Sequence, residues 1–83
     1  MPPNPPAVVA APVRVMCTKN QLVDESALQY REHNVKSMYE GEEGLVVDGD
    51  LQNGLPPPYT DYVEIAFSDG RRGKVSRYVL KLV

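Results

Sequence analysis

Cys17 and His33 are the only thiol and the only imidazole in the chain, so nucleophilic chemistry or metal ligation would have to start from them. A Cys–His pair becomes a catalyst when the two side chains meet in space and a further group orients the imidazole. An expected loop separates these two, and the sequence places no asparagine or aspartate beside both. Cys17 ends an apolar stretch, and His33 sits in the polar run Glu32-His33-Asn34, where a lone histidine is ordinarily solvated. One cysteine and one histidine are too few for a structural zinc site. Gly41-x-x-Gly44 is too short to cradle phosphate. The expectation is a protein without enzymatic activity and without a metal or other cofactor.

The tyrosines carry a stronger signal. Tyr30, Tyr39, Tyr59, Tyr62 and Tyr78 are joined by a single phenylalanine, Phe67, and by no tryptophan. Tyrosine combines a flat apolar face with a polar tip, which suits a groove for an extended peptide. Tyr62 and Tyr78 are the leading candidates for such a groove, with Tyr30 and Tyr39 contributed by the long segment before them. The bland alternative is that two or three of them only pack the core. Glu40, Glu42 and Glu43 form an acidic cluster, continued by Asp48 and Asp50, that would orient a basic residue of the peptide. Arg71, Arg72, Lys74 and Arg77 form a basic counterpart that would meet an acidic surface or phosphate. Opposed patches on one small domain also suit self-association. Leu55-Pro56-Pro57-Pro58-Tyr59 contains the Pro-Pro-x-Tyr pattern that WW domains dock as a polyproline helix, although a stiff connecting loop reads the same way.

Eighty-three residues suffice for one domain with a modest core. So small a domain has little room for a deep, water-excluding active site, which favours a binding module. Net charge is -2, and this near-balance argues against nucleic acid as the partner, because phosphate neutralisation dominates that affinity. A single cysteine rules out an intrachain disulfide and fits a reducing compartment, so the expected location is intracellular, cytoplasmic or nuclear. No apolar run is long enough to span a bilayer. Ala7–Val13 is apolar but short and interrupted by Pro12, and it fails as a signal peptide.

These side chains need elements to hold them. Residues 1–12 read as a proline-rich flexible tail, since Pro2, Pro3, Pro5, Pro6 and Pro12 remove backbone donors. Its prolines, or those of the Pro56–Pro58 loop, would be able to fill the groove of another copy. Val13–Cys17 alternates and predicts a first strand. Thr18 to Tyr39 holds no sustained helical stripe and predicts a long irregular loop with one helical turn near Ala27–Arg31, capped by Asp24. After the turn at Gly41–Gly44, Leu45–Val47 predicts a short strand, and Asp48–Pro58 a loop. Tyr62–Phe67 is the clearest strand, with Val63, Ile65 and Phe67 on one face. Ser68-Asp69-Gly70 predicts a hairpin turn, Arg72–Ser76 the returning strand, and Val79–Val83 the closing one.

Short strands around a long first loop describe a mainly β, five-stranded small barrel over residues 13–83. The segment Gly70-Arg71-Arg72-Gly73-Lys74-Val75-Ser76-Arg77-Tyr78-Val79 resembles the close of SH3 domains, where a glycine precedes an apolar strand, a helical turn and a tyrosine–valine pair. Tyr62 stands about where that family carries a tryptophan. Val63 to Gly70 is also similar to the Tudor pattern ending Phe-x-Asp-Gly, which would make Phe67 and Asp69 part of a cage for a methylated lysine or arginine. Gly41–Val47 resembles the glycine-containing strand of KOW-type barrels. All three share an SH3-like barrel. The expected function is a protein-interaction module that binds an extended peptide or partner surface through a tyrosine-lined groove. The alternatives are a Tudor-like reader and a structural or RNA-associated barrel in a larger assembly.

Overall fold

The computed structural model describes residues 12–83, so the tail expected over residues 1–12 lies outside the described residues except for Pro12. Five strands form where apolar and polar side chains alternate: β1 (Val13–Cys17), β2 (Glu43–Asp48), β3 (Tyr62–Phe67), β4 (Arg72–Ser76) and β5 (Leu80–Leu82). They pair antiparallel in the order β4-β3-β2-β1-β5, as one sheet curled into a half-barrel. The described chain is mainly β, as its alternation predicts.

β3 shows the rule most plainly. Val63, Ile65 and Phe67 are buried, while Tyr62, Glu64 and Ala66 are only partly covered. Their inward side chains meet Val15 and Cys17 of β1, Val46 of β2, Val75 of β4 and Leu80 of β5, together with Met38 from the first loop. β2 begins at Glu43, earlier than the apolar run Leu45–Val47 suggests, because β1 recruits Glu43 and Gly44 through the register Met16–Glu43 and Val15–Gly44. A register shift against β3 at Val47 marks a bulge. In the β3–β4 hairpin Gly70 takes a positive φ of 90°, which a residue with a Cβ adopts only with strain.

The helical turn materialises as α1 (Leu28–His33), but Asp24 does not cap it. Ala27 occupies the cap position with no side-chain bond. Asp24 lies too far upstream and closes its own turn, its Oδ1 accepting from the Ser26 amide at 3.1 Å and the Ser26 hydroxyl at 2.6 Å. Asn34 then ends α1 in the left-handed region, φ 55°.

The first loop seals the outer edge of β4. The Lys74 amide donates to the Asn34 carbonyl at 2.7 Å, and the Lys36 amide donates to the Lys74 carbonyl at 3.1 Å. Asn34 Nδ2 donates to the Arg72 carbonyl, and Gln21 Oε1 accepts from the Ser76 amide. This close approach needs Gly73. A Cβ there would collide with Lys36 Cγ, and would stand 2.9 Å from Lys36 Cβ and 3.2 Å from the Asn34 carbonyl oxygen. Among the described residues no helix is long and apolar enough to cross a membrane.

Candidate functional site

Two loops frame the main cleft. One wall comes from α1, whose Gln29, Tyr30 and His33 share a helical face through i,i+3 and i,i+4 spacing, with Val35 just beyond. The other comes from Pro58, Tyr59 and Tyr62, where the second loop enters β3. Pairing fixes Tyr62: it lies opposite Ser76, and inward-facing Val63 forces it to the outer face. A hydrogen bond joins the walls, with His33 Nδ1 and the Tyr59 hydroxyl 2.7 Å apart and their rings tilted at a centroid distance of 5.7 Å.

Lys74 braces this junction. Its Nζ donates to the His33 carbonyl at 2.6 Å and lies 4.6 Å from the centroid of the Tyr59 ring, within cation–π range. On the far side of Tyr59 a second shallow cleft is lined by Asp48, Leu55, Pro56, Pro57, Glu64 and Lys74. Tyr59 therefore stands as a partition between an aromatic cleft and a charged one.

The structure brings only some of the tyrosines together. Tyr30 and Tyr62 share the aromatic cleft, and Tyr59 and His33 join them. Tyr78 does not line it. That side chain is exposed on the 3-10 turn Arg77–Val79, with its hydroxyl 3.2 Å from Asp61, the residue before Tyr62, and with the Arg77 guanidinium 4.3 Å from its ring centroid. Tyr39 is exposed in a different cleft, with Glu25, Glu42 and Arg71. Glu42 Oε1 accepts from the Tyr39 amide at 3.1 Å, Glu43 pairs with Arg14 at 2.9 Å, and the Glu40 amide donates to Asn20. The acids beside the aromatic cleft are instead Asp48 and Glu64.

Phe67 is 4% exposed and belongs to the core. The Arg71 guanidinium lies 5.1 Å from its ring centroid and donates from Nε to Asp69 Oδ2 at 2.6 Å. Asp69 is held below its ordinary pKa, first by the Arg71 amide and then by the Arg71 side chain. A cation thus already occupies the place that a methylated side chain would take against Phe67 and Asp69.

The expected basic patch is dispersed into structural roles. Arg71 serves Asp69, and Lys74 serves His33 and Tyr59. Arg77 donates to the carbonyls of Thr60 and Leu51. Of these four, Arg71 alone makes ion pairs among the described residues, and Arg72 alone makes neither an ion pair nor a side-chain hydrogen bond there. The Pro-Pro-x-Tyr segment is committed likewise, with Leu55 buried and the Tyr59 hydroxyl bonded to His33. Cys17 and His33 engage different partners, since the thiol donates to the Lys19 carbonyl at 3.0 Å. Among the described residues no group of three metal-ligating side chains assembles.

Sequence reasoning overlooked Tyr59 and His33 as groove members. The Gln29–His33 and Tyr30–His33 spacings on one helical turn were the available signal, but nothing local joins that turn to Tyr59. Neither a protein-family model nor a curated protein matches this chain.

Proposed function

We propose that this chain is an SH3-like protein-interaction module that holds an extended, proline-containing peptide in the cleft between α1 and Pro58–Tyr62. The observation that carries the reading is the convergence of Tyr30, Tyr59 and Tyr62, with His33 and Pro58, on one open surface between two loops. Proline rings pack against tyrosine faces at little entropic cost, because a polyproline segment is already extended. Gln29 and the tyrosine hydroxyls would take the peptide's carbonyl groups. Asp48 and Glu64, across Tyr59, would orient a basic residue, in place of Glu40, Glu42 and Glu43.

The order of a long first loop, a second loop, a tight hairpin, a 3-10 turn and a short last strand accords with that SH3-like reading. Tyr62, at the start of β3, is its anchor. Titrating a proline-rich peptide against Tyr62→Ala and Tyr30→Ala tests the proposal. An affinity loss of about tenfold in each, with the folded state retained, is expected for anchors of this kind. Unchanged affinity in both variants would set the aromatic cleft aside. No observation favours the methylated-residue cage, because Phe67 is buried and Arg71 covers it.

A further inference from the structure

The two edges of the sheet are treated differently. At β4 the first loop and two dedicated side chains, Asn34 and Gln21, take up outward backbone groups. At β5 nothing equivalent is present among the described residues. The Val83 amide donates to the Arg14 carbonyl at 3.2 Å, and the Thr18 amide donates to the Val79 carbonyl at 2.7 Å. In an antiparallel register these bonds turn Val79, Lys81 and Val83 towards β1. The amides and carbonyls of Leu80 and Leu82 therefore face away from the sheet, and no described residue bonds them.

Side chains around this edge have a readable pattern. Leu80 and Leu82 lie opposite Cys17 and Val15, so both belong to the inner face, and Leu82 is 65% exposed at its rim beside exposed Val13 and Val83. Lys81, opposite Met16, stands on the outer face. A strand added to this edge would bond through Leu80 and Leu82. Lys81 would fall at a non-hydrogen-bonded position, where cross-strand side chains come closest.

We infer that β5 is a docking edge for an extended strand of a protein partner, with an acidic residue opposite Lys81 flanked by apolar residues on the inner face. Charge complementarity selects this occupant. Pairing β5 with β5 of a second copy about its centre would set Lys81 against Lys81, and like charges directly opposite are destabilising. A lysine on a short edge strand is a known guard against indiscriminate pairing. Here it also discriminates, admitting a carboxylate and rejecting a cation. This edge is independent of the aromatic cleft, since none of its residues line that cleft.

The test titrates the full chain with two capped peptides, Thr-Val-Glu-Val-Thr and Thr-Val-Lys-Val-Thr, and follows backbone amides by NMR. The glutamate peptide is expected to shift the Leu80 and Leu82 amides and slow their hydrogen exchange. Its affinity should exceed that of the lysine peptide by about fivefold, the scale of a cross-strand charge pair. Lys81→Glu is expected to reverse that order while keeping the fold, and Tyr62→Ala to leave it intact. Equal affinity for the two peptides, unperturbed Leu80 and Leu82 amides, or shifts that vanish on dilution without peptide would each overturn the inference, the last by assigning the edge to a second copy.

Discussion

Gln21 completes the hydrogen bonding of Ser76 from far along the chain: its Oε1 accepts the Ser76 amide at 2.9 Å. Its Nε2 donates to the Lys36 carbonyl at 2.8 Å and to the Lys74 carbonyl at 3.3 Å. One carboxamide thus ties the start of the first loop to its return and to the edge of β4. The Gln21 backbone adds a paired bridge to Met38, at 2.8 and 2.9 Å. Tyr30 and His33 ride on the loop that this clamp holds.

Removing the clamp should therefore loosen the wall of the aromatic cleft. Gln21→Ala leaves the Ser76 amide without its partner in a partly buried setting, at an expected cost of about 1–3 kcal/mol in urea unfolding. Hydrogen exchange at Ser76 should accelerate more than at Val75, which lies within the β3–β4 ladder. A loss below about 0.5 kcal/mol would mean that water replaces the carboxamide without penalty.

Acid should weaken the same loop. Glu25 Oε2 accepts the Ser37 amide at 2.9 Å, while Oε1 lies 3.6 Å from Lys36 and 4.0 Å from Arg71. The Ser37 amide is the main cause that holds the Glu25 carboxyl below its ordinary value of 4.5, with Lys36 and Arg71 adding to it. Because the folded value is the lower one, the contribution is fully present above pH 4.5 and is lost as pH falls through the folded value. Asp24 and Asp69 are lowered too, and act in the same direction below their ordinary 3.8. Unfolding midpoints should drop on the acid side of this window, and Glu25→Gln should flatten part of the drop. Parallel curves for the two proteins would remove Glu25 from the explanation.

Cys17 should be a poor nucleophile while the chain is folded. It is 1% exposed, and burial is the main cause that pushes its thiol above the ordinary 9.0. Thiol reagents act on the thiolate, which burial disfavours. Modification by a disulfide reagent at pH 8 is expected to run at least about tenfold faster in denaturant than in buffer. Comparable rates would place Cys17 outside the packed core.

How much of this was legible beforehand depended on the range of the interactions. β3 was readable because Val63, Ile65 and Phe67 alternate with polar or small neighbours, and the hairpin because Gly70 supplies its turn. Phe67 shares that face and lies in the core for the same reason. Asp24 misled, since capping depends on which residue the helix starts after. Glu43 joined β2 only because β1 needed a partner there. Gln21 gave no signal, as its partners Ser76 and Lys74 are distant in sequence. The aromatic site was half legible. Tyrosine abundance pointed to a groove, but the meeting of His33 with Tyr59 depends on folding two loops together, while Tyr39 lines a different cleft and Tyr78 stands on the 3-10 turn.

The most direct test of peptide binding is an amide NMR titration of this chain with a generic proline-rich peptide. Saturable shifts are expected at Tyr30, His33, Tyr59 and Tyr62, with Tyr39 and the acids around it left in place. Silence at those four residues up to millimolar peptide, or shifts confined to Tyr39 and Glu42, would contradict this expectation.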